Sequence, residues 1–156
     1  MRCEVAKGAG LNTQERFMES KVKVRYQETD QMGVAHHSCY FVWFEIGRTD
    51  LCHAASLPYS EIEKGGYVLV VTEIACRYLS PFLYDEEVTI RTHVTRISSR
   101  GFRFEYELID HDGIARATGS SSHIWLDYES RRPVKAPADM VTQFERFRGS
   151  DEDSDR

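Results

Sequence analysis

The apolar residues of this chain change their spacing several times, and each change marks an element. Val22 to Gln27 alternates apolar and polar side chains, the two-residue period of a short strand. Glu28 to His37 breaks that alternation with acids, Gly33 and two histidines, and reads as loop. Ser38 to about Ala54 predicts a long helix in which Tyr40, Phe41, Val42, Trp43, Phe44 and Ile46 leave almost no polar face. A helix that is apolar nearly all round is wrapped by other structure. Ser38 or a neighbour is placed to cap its start. Gly47 costs such a helix about 1 kcal/mol against alanine, which predicts close packing of the helix on a sheet at that point.

After a short helical turn from Pro58 to Gly65-Gly66, four strand-like segments follow. Val68, Val70, Thr72 and Ile74 interleave with Leu69, Val71 and Glu73; two largely apolar faces predict a central strand. Val88, Ile90, Thr92 and Val94 alternate with Thr89, Arg91, His93 and Thr95. Phe102, Phe104, Tyr106 and Leu108 alternate with Arg103, Glu105 and Glu107 in the cleanest strand pattern of the chain. His111-Asp112-Gly113 signals a hairpin turn, Ile114 to Tyr128 the last strand, and Pro137 to Arg148 a short closing helix.

This order, a strand, a buried helix and then an antiparallel meander, is that of an α+β domain. One helix covers five strands only if a curved sheet wraps around it. Such a sheet leaves an edge strand, which predicts pairing with a second copy in a homodimer or homotetramer. The 156 residues fit one domain. It is expected over 19–148, between a polar arm at 1–18 and an acidic tail at 149–156 expected to be disordered.

Composition narrows the function. With 41% hydrophobic and 29% charged residues the chain reads as a water-soluble globular protein. A net charge of −5 argues against a nucleic-acid partner, which calls for a basic face. Cys3, Cys39, Cys52 and Cys76 form no Cys-x-x-Cys pair, so neither a zinc site nor a redox motif is expected, and small buried thiols fit a reducing compartment. No segment approaches the roughly 20 apolar residues of a membrane span, and no signal peptide is visible, so the expected location is cytoplasmic. The histidines do not cluster, and no metal or cofactor is expected.

The candidate chemistry lies between Tyr26 and Arg48, YQETDQMGVAHHSCYFVWFEIGR. Asp30 precedes a helix N-terminus, where unpaired N–H groups and the positive end of the macrodipole favour negative charge. A carboxylate beside such an oxyanion site can cleave an activated acyl group without a serine triad. Taken alone, Asp30 reads first as an ordinary turn or Asx-type residue, and only the whole Tyr26-to-Arg48 pattern favours catalysis. Gly33 reads as a tight turn at positive φ, with room for a substrate to approach the backbone. Glu45 and Arg48, spaced i, i+3, are expected to form a salt bridge.

In its order of residues the stretch resembles the hot-dog-fold acyl-CoA thioesterases of the 4-hydroxybenzoyl-CoA thioesterase class. Tyr26, Thr29-Asp30, Gly33-Val34, His36-His37, Tyr40, Trp43-Phe44-Glu45 and Arg48 carry the likeness, which continues more weakly through Tyr78, Pro81 and Asp85 to about Pro137. The resemblance implies a hot-dog fold, an antiparallel sheet around one long buried helix, and hydrolysis of an acyl-CoA to free acid and CoA. It implies Asp30 as nucleophile or general base, and a backbone N–H at or beside His37 as oxyanion donor. The His37 side chain would orient substrate or Asp30, and Tyr26 would line the site. Gly33, Val34 and His36 complete the implied substrate-binding set. Ser99 and Arg100 are the pair chosen for the CoA phosphates, arginine forks being suited to them.

Two rivals remain at this level. A hydroxyacyl-thioester dehydratase is disfavoured, because Ser38-Cys39-Tyr40 follows His37 where a proline- and glycine-rich turn would be needed. A non-catalytic acyl-binding module is disfavoured by the intact Thr29-Asp30-x-x-Gly33.

Overall fold

The computed structural model describes residues 16–149. Most of the predicted arm and nearly all of the predicted acidic tail, residues 1–15 and 150–156, lie outside the described residues. The elements are β1 (Met18–Lys23), α1 (Cys39–Ala54), α2 (Tyr59–Lys64), β2 (Tyr67–Tyr78), β3 (Glu87–Thr95), β4 (Gly101–Ile109), β5 (Ala115–Asp127) and α3 (Ala138–Thr142). Five antiparallel strands form one sheet in the order β1-β3-β4-β5-β2, and α1 lies against its inner face. The α+β, helix-in-sheet architecture predicted from the segment order is the one observed.

The alternations of β3 and β4 decide which face turns inward. Val88, Ile90, Thr92 and Val94 of β3, and Phe102, Phe104, Tyr106 and Leu108 of β4, are all buried on the inner face, Phe102 and Phe104 against Phe144 near the C-terminal end of the domain. Phe44 of α1 stacks on Tyr106 with centroids 4.3 Å apart and planes at 10°. It fits there because Gly119 of β5 carries no side chain; a Cβ on Gly119 would strike the Phe44 ring. Gly47 serves the same end from the helix side. A Cβ there would collide with Thr92 Oγ1 and lie 2.9 Å from Ile90 Cγ2, so the close approach inferred from the sequence is present. The predicted hairpin is also in place: Gly113 has φ +80° and its N–H donates to Asp110 O at 3.0 Å.

Three expectations need correction. The first strand spans Met18–Lys23, not Val22 to Gln27; the chain leaves the sheet early because Tyr26–Glu28 wind into a 3₁₀ turn. The Val68–Ile74 segment is not central: it belongs to β2, an edge strand. A register shift between Val71 and Glu73 keeps both Val71 and Ile74 opposite the buried inner-face residues His123 and Ser121. Yet Val71 and Ile74 are 47% and 38% exposed, because α1 does not reach that far. Two apolar faces marked a strand that one chain alone leaves uncovered.

The third correction concerns Arg48. It does not pair with Glu45, which is exposed, and among the described residues no carboxylate pairs with it. Arg48 is buried and donates to Tyr106 Oη at 3.1 Å. The Tyr106 hydroxyl meets Ser121 Oγ at 2.5 Å, and Ser121 Oγ meets His123 Nε2 at 2.8 Å. Burial and then the Arg48 charge hold His123 neutral, its pKa pushed down to about 3. Between about 6.5, the ordinary histidine value, and about 3, the unfolded chain binds a proton that the folded chain does not. Stability contributed by His123 is therefore full above that window and falls with pH inside it. Denaturation curves from about pH 6 to pH 4 should show the wild type losing about 1.4 kcal/mol per pH unit more than His123→Gln. Parallel pH curves for the two proteins would disprove this role.

Candidate active site

The loop before α1 is built around Glu28, which the sequence pattern did not single out. Its buried carboxylate accepts from Arg25 N–H at 2.8 Å, the Arg25 guanidinium at 3.1 Å and Trp43 Nε1 at 3.4 Å. Its carbonyl accepts from His36 N–H at 2.7 Å. One acid thus ties both ends of the loop to the helix. An acid flanked by Arg25 and a helix tryptophan was the only signal in the sequence for this.

Between those ties the chain makes a tight reversal. Asp30 N–H donates to Val34 O at 2.9 Å and Gly33 N–H to Asp30 O at 2.9 Å. Gly33 sits at φ +79° with nothing within 4 Å of a Cβ position. Both halves of its reading are present, the positive φ and the open space. Asp30 Oδ1 accepts from Met32 N–H at 2.8 Å, the Asx turn that was its ordinary alternative. Oδ2 takes no hydrogen bond from the described residues. One oxygen is thereby anchored and the other left open, which suits a group that must face a reacting atom.

Asp30 lines a cleft of about 360 Å³ together with Met32, Val34, His37, Tyr40 and Tyr78. Of the predicted site residues, the structure brings Asp30, Val34 and His37 to this cleft and places Gly33 beside it. His36 turns to Ser38: its Nδ1 lies 2.7 Å from Ser38 Oγ and accepts from Ser38 N–H at 3.3 Å. Ser38 precedes the helix without making a side-chain cap bond. Tyr26 is not at the cleft. It is 79% exposed and packs edge-on against Tyr84, with centroids 5.7 Å apart. Ser99 and Arg100 lie in the β3–β4 turn, at the opposite end of the sheet from the β2–β3 connection that walls the cleft. Tyr78 ends β2, and Leu79, Ser80 and Pro81 come from that connection; apart from the weak likeness at Tyr78 and Pro81 nothing local in the sequence placed them opposite Asp30.

The start of α1 presents an unused donor. Cys39 N–H is satisfied by His36 O at 3.0 Å, and Ser38 N–H leans on His36 Nδ1. His37 N–H donates to no acceptor among the described residues. A free N–H at a helix start and a half-open carboxylate, on two residues that line one cleft, are groups able to bind an oxyanion and to accept a proton.

A larger hollow of about 640 Å³ lies on the outer face of the sheet. Three of its lining groups engage one another: Glu105 lies 3.5 Å from His93 and 3.3 Å from Arg103, which also donates to Ser120 Oγ at 2.9 Å. Among the described residues no three His, Cys, Asp or Glu side chains converge as a metal site. No helix there is long and apolar enough to cross a membrane.

The profile of the family described as the thioesterase-like superfamily matches residues 24–144. YneP of Bacillus subtilis, named as a proposed acyl-CoA thioesterase, is 34% identical over 131 residues, covering 82% of this chain and 95% of YneP. A DHNA-CoA thioesterase from Staphylococcus aureus superposes with a TM-score of 0.73 at 30% identity, over 76% of this chain and 80% of that one. A hypothetical protein from Thermus thermophilus superposes with a TM-score of 0.76 at 35% identity, over 81% and 96% of the two chains.

Proposed function

The chain belongs to the thioesterase-like superfamily, with its hot-dog fold, and from that premise we propose that its Asp30 cleft hydrolyses an acyl-CoA to free acid and CoA. The superfamily, and not the hydroxybenzoyl-CoA class within it, is what the match carries. One observation supports the chemistry above the others: Asp30, with Oδ2 open, and His37, with its N–H unspent, line the same cleft.

In this reading the thioester carbonyl lies between them. His37 N–H receives the developing oxyanion at the positive end of the α1 dipole. Asp30 Oδ2 either adds to the carbonyl, expelling CoA thiolate and leaving a mixed anhydride for water to open, or takes a proton from the attacking water. Tyr40 and Val34 give the acyl group an apolar wall. The His37 imidazole lines the cleft and orients substrate, whereas the exposed Tyr26 acts through the loop it begins.

The working unit in this proposal is at least a dimer. β2 offers an unpaired edge with Val71 and Ile74 uncovered on its inner face. Antiparallel pairing of two β2 edges would lay the Ser99–Arg100 end of one copy beside the Asp30 end of the other. Ser99 and Arg100 could then meet CoA phosphates at a site that a single chain separates from them. Light scattering should return at least twice the chain mass, and a monomer that turns over substrate would reject this assembly. Cys39, Cys52 and Cys76 are free thiols, which supports a reducing, cytoplasmic setting.

Thiol release from a panel of acyl-CoAs, from acetyl through long-chain to benzoyl and hydroxybenzoyl, tests the proposal. Turnover identifies the acyl class. Tight binding without turnover would favour an acyl-binding module, and loss of water from a 3-hydroxyacyl thioester would favour a dehydratase.

A further inference from the structure

We propose that Tyr78, the last residue of edge strand β2, is a positioning residue that holds the oxyanion donor in place by hydrogen-bonding the carbonyl of His37. This inference rests on the reading of His37 N–H as that donor. The Tyr78 hydroxyl donates to His37 O at 2.8 Å, across 41 residues of sequence.

In a trans peptide the C=O and the following N–H point in opposite directions within one plane. The 36–37 plane carries His37 N–H, and its carbonyl is held by Cys39 N–H at 3.0 Å. The 37–38 plane is held through its own carbonyl by Tyr78. The two soft torsions of His37 are therefore trapped between two clamped planes, and the direction of its N–H is set before substrate arrives. Without Tyr78 the second plane keeps only the long bond from Ser38 N–H to His36 Nδ1, at 3.3 Å. His37 is exposed and precedes the helix, and its ring contact, with His36 at 4.1 Å, does not touch its carbonyl.

Tyr78 is itself well placed to be rigid. Its ring meets Tyr40 edge-on at 4.8 Å, and its strand position pairs with the buried Ala117. Burial, together with Cys76, pushes its hydroxyl up to about 12, so it remains a donor at neutral pH. The bond also joins the outermost strand of the sheet to the catalytic loop, so whatever pairs with the β2 edge bears on the oxyanion site.

Tyr78→Phe keeps the ring and removes only the hydroxyl. Its kcat should fall about tenfold to a hundredfold, less than the roughly hundredfold to thousandfold that losing an oxyanion donor outright costs, while KM stays within about threefold. A trifluoromethyl-ketone analogue of the acyl-CoA, which forms a tetrahedral oxyanion, should lose affinity by a similar factor. A thioether analogue, which forms none, should bind both proteins equally. The analogue pair is read by binding, so it serves even if Tyr78→Phe is less stable. A kcat within twofold of wild type, a loss confined to KM, or equal weakening of both analogues would overturn the role. Asp30→Asn run alongside separates the two levels: wild-type turnover lost in Asp30→Asn but intact in Tyr78→Phe rejects Tyr78 alone, whereas a wild type without turnover rejects the parent reading with it.

Discussion

Asp30→Asn should lower kcat by about a hundredfold to ten-thousandfold, the range lost when a positioned base is removed, equivalent to about 3–5 kcal/mol of barrier. Asparagine is the informative replacement because its side-chain oxygen can still accept from Met32 N–H, the bond that holds Asp30 at 2.8 Å. The Asx turn, the Gly33 reversal and the bond from Asp30 N–H to Val34 O are then kept. What disappears is the charge and basicity of Oδ2. The variant should keep the wild-type melting temperature and circular dichroism while thiol release collapses. Equal turnover by a folded Asp30→Asn protein would move the chemistry to another residue. A single turnover in heavy-oxygen water bears on the two roles left open. Label in Asp30 requires an anhydride opened at the aspartyl carbon and identifies the nucleophile, whereas label in the acid alone fits direct attack by water or an anhydride opened at the acyl carbon.

The second large effect is on the fold. Phe44→Ala should destabilise the protein by about 3–5 kcal/mol. Phe44 is fully buried, stacks on Tyr106 and occupies the space that Gly119 leaves. Cα positions on a paired sheet cannot close in, so the void would persist rather than collapse, which puts the cost toward the upper end. Urea denaturation should show a lower midpoint with an unchanged slope. A loss below about 1 kcal/mol would mean that the helix–sheet packing does not hold the fold together. The same void lies beside Tyr106, so His123 and Arg48 should lose part of their order as well.

Much of this structure was legible from side-chain periodicity. The alternations of β3 and β4, the all-round apolar helix and the hairpin glycine each depend on residues within a turn or a strand of one another. Gly47 was legible for a related reason: an unfavourable helix residue among good ones points to a close neighbour. The loop acid and its glycine were legible because their turn geometry is local.

Local pattern could not reveal where β2 sits in the sheet. Two apolar faces mean that both are to be covered, but not by what; here the chain itself leaves the inner face of Val71 and Ile74 open. Nor could it show that Arg48 prefers a tyrosine of β4 to the glutamate three residues away. The i, i+3 rule concerns an exposed helix surface, and Arg48 faces the sheet.

By itself, then, the sequence determined the elements, the α+β class and the Asp30 turn, because strand period, helix period and turn chemistry are fixed by residues a few positions apart. Only the tertiary structure decided which groups share the cleft. Tyr78 reaches His37 across 41 residues, Tyr26 turns away from Asp30 four residues on, and Ser99 and Arg100 lie at the far end of the sheet. Those outcomes depend on strand order and on the close seating of α1, and no short-range pattern encodes either.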